Sequence, residues 1–245
     1  MNVIKKCKHG NFIYNKKDIW IGRSFDVYGE FSEGEVDLFK TLLTEGDFVL
    51  DVGANIGAFT IPFAELVGQT GGVFAFEPAR TNYYTLCGNV AISNHNNILT
   101  FQSAVGKENG SINVPEFSYE YTTNYGGIDL SQVYDEKMCY KVPLMTIDSL
   151  NLQRCKLIKI DVEGMEFDVL SGAVETIKKF KPYIYFENHK PEITESILNF
   201  LRPLGYIFKH HVVPYFNKNN FAEEKCNIFG NVNSNNIFCA QGVAL

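Results

Sequence analysis

The residues of this chain best suited to chemistry are four acids, each at the end of a short apolar segment. They are Asp51, Glu77, Asp161 and Glu187. Short apolar segments bounded by turns are typical of buried parallel strands. Ligands of open α/β sheets bind beyond the carboxyl ends of such strands. The four acids therefore predict one polar site along one edge of a parallel sheet.

The first acid precedes a glycine turn. Residues 49–60 read VLDVGANIGAFT, in which an apolar strand breaks at Gly53 and a helical pattern starts after Gly57. Glycine lets the backbone adopt positive φ angles and approach a ligand closely. Asp51 argues against a dinucleotide, because a carboxylate repels a pyrophosphate. It suits the amino group of an amino acid, with a simple cap of the strand end as the alternative.

The second acid lies one strand and one helix later, in the segment GVFAFEP at residues 72–78. An acid at the tip of the second strand can bind a ribose diol through two hydrogen bonds. Ser103 and Ala104 follow the third predicted strand, where an adenine ring commonly lies in this fold. Amino acid, ribose and adenine together describe S-adenosylmethionine, whose demethylated product is S-adenosylhomocysteine. The predicted cofactor-binding residues are Asp51, Gly53, Ala54, Asn55, Gly57, Thr60, Glu77, Pro78, Ser103, Ala104 and Asp161.

Three motifs resemble those of the FkbM family of class I methyltransferases, which use S-adenosylmethionine. They are VLDVGANIGAFT at 49–60, FAFEP at 74–78 and KIDVEGMEFDVLSG at 159–172. The third is the most diagnostic, because many methyltransferases share the first. Similarity at YGEF (28–31) with Glu35 and at TIDSL (146–150) extends the resemblance over residues 28 to 190. The resemblance implies O-methylation of a hydroxyl on a sugar or a secondary metabolite.

Methyl transfer to a hydroxyl needs a group that takes up the hydroxyl proton. The acceptor is expected beside the fourth and fifth strands, where the candidate catalytic residues are Asp161, Glu163, Glu187 and His189. His189 has the intrinsic pKa best suited to a base at neutral pH; the alternative is a surface histidine at a helix start. Glu163 could orient a hydroxyl, cap the following helix or contact the amino acid part of the cofactor.

A divalent cation is an alternative to a protein base. Asp161, Glu187 and Asn188 offer oxygen ligands that could hold Mg²⁺ and acidify a hydroxyl. The resemblance does not require a metal, and none is part of the predicted site. Residues 161–164 read DVEG, where enzymes that methylate planar nitrogens carry an Asn/Asp-Pro-Pro-Tyr/Phe motif. This difference favours an oxygen acceptor.

Two further functional classes stay open beside an O-methyltransferase of glycans or small metabolites. The first is a methyltransferase of protein or nucleic acid, which a basic groove would favour. The second is a protein that binds S-adenosylmethionine without catalysis, or an NAD(H)-dependent enzyme. Asp51 and the lack of a G-x-G-x-x-G motif disfavour the NAD(H) enzyme.

Composition narrows the partners and the compartment. The chain has 245 residues, a net charge of −6 and 45% hydrophobic residues, which suits one α/β domain with small additions. The negative charge argues against nucleic acid as a partner. The six cysteines show no metal-binding spacing, and no apolar run is long enough to span a membrane. We therefore expect a cytoplasmic protein with a small-molecule or glycan substrate; a homo-oligomer stays open.

The order of segments predicts an α/β, Rossmann-like sheet of seven mostly parallel strands with the last strand antiparallel, as in class I methyltransferases. Residues 46–245 are expected to form the methyltransferase domain. Residues 1–45 are expected to form an extension that covers one edge of the cofactor cleft or merely packs on the domain.

Some local elements are predicted more finely. In the extension, strands at 12–14 and 19–21 are expected to form a hairpin, followed by a helix at 32–43 capped by Ser32. A single helix is expected at 166–178. Residues 116–139 are a long loop, either a lid over the site or a surface insertion, and 212–235 are a loop without assignment.

Overall fold

The computed structural model describes residues 2–119 and 121–242. Its N-terminal part comprises strands β1 (Asn2–Cys7) and β2 (Gly10–Asn15), followed by helices α1 (Ile21–Tyr28) and α2 (Glu33–Leu42). The two strands form an antiparallel hairpin with Val3 opposite Tyr14.

The hairpin predicted from residues 12–14 and 19–21 is therefore wrong in its second strand, because Ile21 starts a helix. The Asp18 carboxylate accepts hydrogen bonds from the backbone N–H groups of Trp20 and Gly22, at 3.1 Å each. These bonds turn the chain into α1 in the manner of a helix cap. At the predicted cap of α2, the Ser32 hydroxyl donates to the Glu35 carboxylate at 2.5 Å and makes no capping bond to the backbone.

The strands that follow the hairpin are β3 (Phe48–Val52), β4 (Gly72–Phe76), β5 (Ile98–Phe101), β6 (Ala104–Val105), β7 (Gly110–Pro115), β8 (Cys139–Met145), β9 (Leu157–Ile160), β10 (Tyr183–Glu187), β11 (Tyr206–Pro214) and β12 (Asn233–Gln241). The central sheet has seven strands in the order β11-β12-β10-β9-β3-β4-β5. Strand β12 runs antiparallel to both of its neighbours and the remaining pairs are parallel, so the predicted sheet with one antiparallel strand is confirmed.

Both faces of the central strands are buried, which explains why these segments are apolar without alternation. Leu50 and Ile158 belong to the core on one face, and Val49 and Leu157 belong to the core on the other. The helices that cover the faces are α3 (Thr60–Val67), α4 (Arg80–Ser93), α5 (Glu166–Ser171), α6 (Val174–Phe180) and α7 (Pro191–Leu201). No helix within residues 2–119 and 121–242 is long and apolar enough to cross a bilayer.

The single helix predicted at 166–178 is two helices, α5 and α6. They are separated at Gly172, whose backbone lies so close to the Gly106 carbonyl oxygen that a Cβ atom would overlap it. The second helix starts where the Asp148 carboxylate accepts from the N–H groups of Glu175 and Thr176 at 3.0 and 2.8 Å. A distant side chain thus caps α6, which the local pattern of residues 166–178 does not reveal.

Strands β6, β7 and β8 form a small separate sheet. The loop predicted at 116–139 connects β7 to β8, with a single turn of 3₁₀ helix at Glu136–Met138 before β8. The unassigned loop at 212–235 is shorter than predicted, since Val212 lies in β11 and Asn235 in β12.

Candidate active site

A cleft lies beyond the carboxyl ends of the parallel strands and has two lobes. The apolar lobe is lined by Phe76, Ser103, Val105 and Met165, among others. The polar lobe is larger and is lined by residues from β10, the N-terminal part and the region of β11 and β12. The residues shared by both lobes form the neck between them: Gly53, Glu77, Gly126, Asp161 and Glu163.

The glycine turn after β3 forms one side of the neck. Gly53 has φ = +80°, and a Cβ atom there would overlap the Asp161 carbonyl oxygen. The N–H groups of Gly53 and Ala54 donate to the Phe76 carbonyl at 3.0 and 2.9 Å. Only glycine satisfies both the positive φ and the close approach of β9, so the turn brings the ends of β3, β4 and β9 together.

Glu77 is held in place by the backbone around it. Its Oε2 accepts from the Asn55 N–H at 2.8 Å, and its Oε1 accepts from the Ala79 N–H at 2.8 Å. Burial raises the pKa of the Glu77 carboxyl to about 7, against the lowering effect of these two hydrogen bonds. The carboxyl group is therefore fixed at the neck, with lone pairs left to accept from a ligand.

Asp51 is fully buried behind the turn. Its Oδ2 accepts from the Thr60 hydroxyl at 2.6 Å, and its Oδ1 lies 3.4 Å from the ammonium group of Lys159. Asp51 and Lys159 are directly paired across β3 and β9. The cation beside Asp51 in this structure is thus a lysine of the chain itself, and not the amino group of a ligand that the sequence suggested.

Lys159 is the main charged residue that sequence reasoning missed. It is 4% exposed, and its ammonium group lies 3.1 Å from the Asp161 carboxylate and 3.3 Å from the Gly53 carbonyl oxygen. Burial lowers the pKa of Lys159, but the carboxylates of Asp161 and Asp51 raise it more, so the ammonium form is favoured. The signal in the sequence was a lone charge inside the apolar strand β9.

Two buried side-chain atoms of the described residues have no hydrogen-bond partner: Asp51 Oδ1 and Ser103 Oγ. Leaving such an atom unpaired costs about 1–3 kcal/mol. Ser103 lines the apolar lobe, so a polar group of a bound ligand can satisfy it. An unpaired hydroxyl among apolar walls, with a carboxyl group at the neck, fits the adenine and ribose of S-adenosylmethionine.

The predicted cofactor residues divide into two groups in the structure. Seven of them line the cleft, as do all four predicted catalytic residues, with Asp161 in both sets. The remaining four are buried behind the turn: Asp51, Ala54, Gly57 and Thr60.

The acids at the ends of β9 and β10 form a hydrogen-bonded chain with His189. The His189 Nε2 lies 2.7 Å from Glu187 Oε1 and 4.0 Å from Glu163 Oε2. Glu187 is also hydrogen-bonded to Asp161. The four side chains named from the sequence as candidate catalytic residues therefore lie together in the cleft.

The charges within this group are redistributed by burial and by their neighbours. Burial and the Asp161 carboxylate raise the pKa of Glu187 to about 8. Burial alone would raise the pKa of Asp161 as well, but Lys159 holds it below its ordinary value. The hydrogen bond to Glu187 raises the pKa of His189 to about 9. The raised pKa favours the protonated form of His189 beside Glu187, whereas the sequence argument rested on the intrinsic pKa of histidine.

Ligand atoms of Glu163, Glu187 and His189 lie within 4.8 Å of one another. This group differs from the metal-binding set suggested by the sequence, because the Asn188 Oδ1 accepts from the Thr194 hydroxyl at 2.6 Å. A metal held by this group would take the place of the proton in the 2.7 Å contact between His189 and Glu187.

Aromatic residues from three distant segments line the polar lobe and were not predicted. Trp20, Phe31 and Tyr215 border it. The rings of Trp20 and Tyr215 are stacked, with centroids 5.4 Å apart, and Phe31 lies 5.6 Å from Tyr215. Their separation along the chain explains why no local motif announces them.

The loop at 116–139 covers the neck between the lobes. Its residues Gly126 and Ile128 line the cleft. The loop is tied to α4 by a hydrogen bond from the Asn82 side chain to the Tyr125 carbonyl at 2.9 Å, and to the start of α7 by a 2.8 Å ion pair between Asp129 and Lys190. These contacts are those of a lid rather than of a detached surface insertion.

A family model described as the methyltransferase FkbM domain matches residues 51–208. The chain belongs to this family. The match includes the glycine turn, the neck and all the acids of the cleft, so the FkbM resemblance is confirmed.

Two curated proteins and one solved structure match part of the chain at low sequence identity. The chain is 26% identical to Methyltransferase 1 of Beauveria bassiana, over 64% of this chain and 65% of the relative. It is 30% identical to the 2-O-methyltransferase NoeI of Sinorhizobium fredii, over 61% of this chain and 66% of the relative. These matches span just under two thirds of each curated relative. The solved structure of the methyltransferase FkbM from Methylobacillus flagellatus, at 16% identity and a TM-score of 0.52 over 84% of this chain and 50% of that one, shares the fold.

Proposed function

We propose that the protein is an S-adenosylmethionine-dependent O-methyltransferase that acts on a hydroxyl group of a sugar or another small metabolite. The observation that carries this proposal is the two-lobed cleft, in which Gly53 and Asp161 lie at the neck between an apolar lobe and an acid-rich lobe. Methyl transfer requires cofactor and acceptor to approach each other from opposite sides in one line. Two lobes that meet at shared residues would provide this arrangement.

The apolar lobe would hold the cofactor, which supplies an electrophilic methyl group when bound. Ser103 and Ala104 would lie beside the adenine and Glu77 would accept hydrogen bonds from the ribose. The roles of Asp51 and Thr60 would be indirect, since Thr60 orients Asp51 and Asp51 pairs with Lys159 behind the turn. Lys159 in turn holds Asp161 in its carboxylate form at the neck.

The hydrogen-bonded Glu187 and His189 would take up the proton of the acceptor hydroxyl. Because the two groups share a 2.7 Å contact, they titrate as a pair, and the pair has to lose a proton before it can act as a base. The raised pKa values place this loss above neutral pH. Glu163, at the neck and 4.0 Å from His189, would orient the hydroxyl.

Three observations support an oxygen acceptor over a nucleobase. The segment after β9 is Asp161-Val162-Glu163-Gly164, whose carboxylates suit hydroxyl groups. The net charge of −6 works against binding a polyanion. One relative, NoeI, is named a 2-O-methyltransferase.

The test is an assay with S-adenosylmethionine that carries a ¹³C-labelled methyl group. Candidate acceptors are saccharides, aliphatic and phenolic alcohols, and an RNA oligonucleotide, each with and without EDTA. The chemical shift of the transferred methyl carbon distinguishes O-methyl from N-methyl products. An O-methylated small molecule is the expected product, whereas N-methylation or exclusive methylation of RNA would contradict the proposal. Activity that survives EDTA supports a protein base over a metal.

A further inference from the structure

Trp20, Phe31 and Tyr215 form one wall of the polar lobe, here called the aromatic wall. All three residues lie outside the segment that the FkbM family model matches, residues 51–208, although Phe31 belongs to the YGEF motif that resembles the family. The matched segment supplies the acids of the lobe.

The wall is held firmly. The backbone N–H of Trp20 donates a hydrogen bond to the buried Asp18 carboxylate at 3.1 Å. The Trp20 ring stacks on Tyr215 and on the buried Phe229, with centroids 5.4 and 5.7 Å away. Rigid aromatic side chains fixed in this way make good binding surfaces, since little conformational entropy is lost when a ligand binds.

The remaining lining of the lobe is mainly polar, and among the described residues it includes no lysine or arginine. Amides from Asn55, Asn124, Asn188, Asn233 and Asn235 accompany four carboxyl groups, those of Glu77, Asp161, Glu163 and Glu187. The imidazole of His189 also lines the lobe and is paired with Glu187 at 2.7 Å. Phosphate groups in proteins are usually bound by arginine, lysine or helix N-termini. A lobe with several acids would instead repel a phosphate.

From this combination we infer that the acceptor is an uncharged or amino sugar and not a phosphorylated or nucleotide-activated sugar. The sugar ring packs on Trp20 and Tyr215 of the aromatic wall, and its hydroxyls are bound by the asparagines and acids. Sugar rings offer an apolar face of C–H groups and a rim of hydroxyls, which matches one aromatic wall and one amide-rich wall. An amino sugar would gain further from the carboxylates and from the aromatic faces. The inference rests on the proposed O-methyltransferase function and narrows its substrate class.

The experiment measures the binding of methyl glycosides of hexoses, 6-deoxyhexoses and hexosamines to the complex with S-adenosylhomocysteine. Each sugar is also supplied as its glycosyl phosphate, which is the matched control. Saturation-transfer NMR gives the relative affinities, and the labelled-methyl assay gives KM for those that are turned over. At least one uncharged or amino sugar is expected to bind about 10-fold or more tightly than its phosphate, equivalent to about 1.4 kcal/mol.

Variants locate the effect in the wall. Trp20→Ala is expected to raise the KM of the best sugar about 10-fold or more and to leave the affinity for S-adenosylhomocysteine within about 2-fold, because the ring lies outside the apolar lobe. Trp20→Phe, which keeps an aromatic face, should recover most of the loss. Tyr84→Ala, an aromatic truncation at a residue 64% exposed on α4, is the matched control and should change neither value.

A charge-addition variant keeps the test decisive if Trp20→Ala does not fold. Asn233 is exposed at the lobe, so Asn233→Lys should fold and should shift preference toward the glycosyl phosphate. Preference of the wild type for phosphorylated sugars, no response to any saccharide, or unchanged selectivity in both the Trp20 and the Asn233 variants would overturn the inference. If S-adenosylhomocysteine itself does not bind, the proposed function fails as well.

Discussion

Replacing Lys159 with methionine should destabilise the protein far more than replacing an exposed lysine. Lys159 is 4% exposed and lies between the fully buried Asp51, at 3.4 Å, and Asp161, at 3.1 Å. Methionine is similar to lysine in length and volume, and it removes the ammonium group together with its hydrogen bonds to Gly53 and Asp161. Asp51 would then be a buried carboxylate with no cation beside it.

Removing one partner of a buried ion pair typically costs about 3–5 kcal/mol, because the other charge stays desolvated. Most of this cost should come from Asp51, since the Asp161 side chain is 41% exposed and can be hydrated. For a domain of this size each kcal/mol corresponds to about 2–4 °C in Tm. The expected fall in Tm for Lys159→Met is therefore about 6–20 °C.

Urea unfolding followed by circular dichroism measures the effect, provided that the m-value stays the same. The matched control is Lys178→Met, which removes an exposed helical pair with Glu175 and should cost at most about 1 kcal/mol. The double variant Lys159→Met/Asp51→Asn should be more stable than Lys159→Met alone, because it removes the uncompensated carboxylate. Equal losses for Lys159→Met and Lys178→Met, or no recovery in the double variant, would refute the reasoning.

Three further predictions concern the cleft. Glu77→Gln should weaken S-adenosylhomocysteine binding about 10- to 100-fold in calorimetry, the loss expected for a hydrogen bond to a charged group; unchanged affinity would remove Glu77 from the cofactor site. The kcat should rise with pH through apparent pKa values of about 8 and 9, because the paired Glu187 and His189 are protonated below them. Glu187→Gln removes the main group that raises the pKa of His189 from 6.5 to about 9, so the rise in kcat should move to lower pH. A pH profile of kcat that stays the same would contradict the assignment of Glu187 and His189 as the base. Asp129→Asn breaks the ion pair with Lys190 that holds the loop at 116–139 over the cleft. Stopped-flow fluorescence should then show S-adenosylhomocysteine dissociating about 2- to 10-fold faster. An unchanged dissociation rate would show that this ion pair does not control release of the ligand.

The sheet and the glycine turn could be predicted because their signals are local. Apolar strands, a glycine that needs positive φ at Gly53 and acids at strand ends are all contained in short segments. The same locality explains why the candidate residues Glu77, Ser103 and Asp161 line the cleft.

The errors arose where distant residues decide the local structure. The predicted second hairpin strand failed because Asp18 starts a helix, and the single helix at 166–178 failed because Asp148 caps a new one. Lys159 escaped notice because its partner, Asp51, is set by the register of two strands more than 100 residues apart along the chain. The pKa of His189 depends on Glu187 across the bend after β10, which composition does not reveal.

The central claim is that the apolar lobe binds S-adenosylmethionine, and calorimetric titration with S-adenosylhomocysteine tests it most directly. The geometry predicts micromolar binding with one site per chain, weakened in Glu77→Gln and kept in Trp20→Ala. NADH, titrated in parallel, should give no heat of binding, since the neck carries a carboxyl group where a pyrophosphate would lie. Binding of NADH in place of S-adenosylhomocysteine, or of neither, would contradict the assignment of the site.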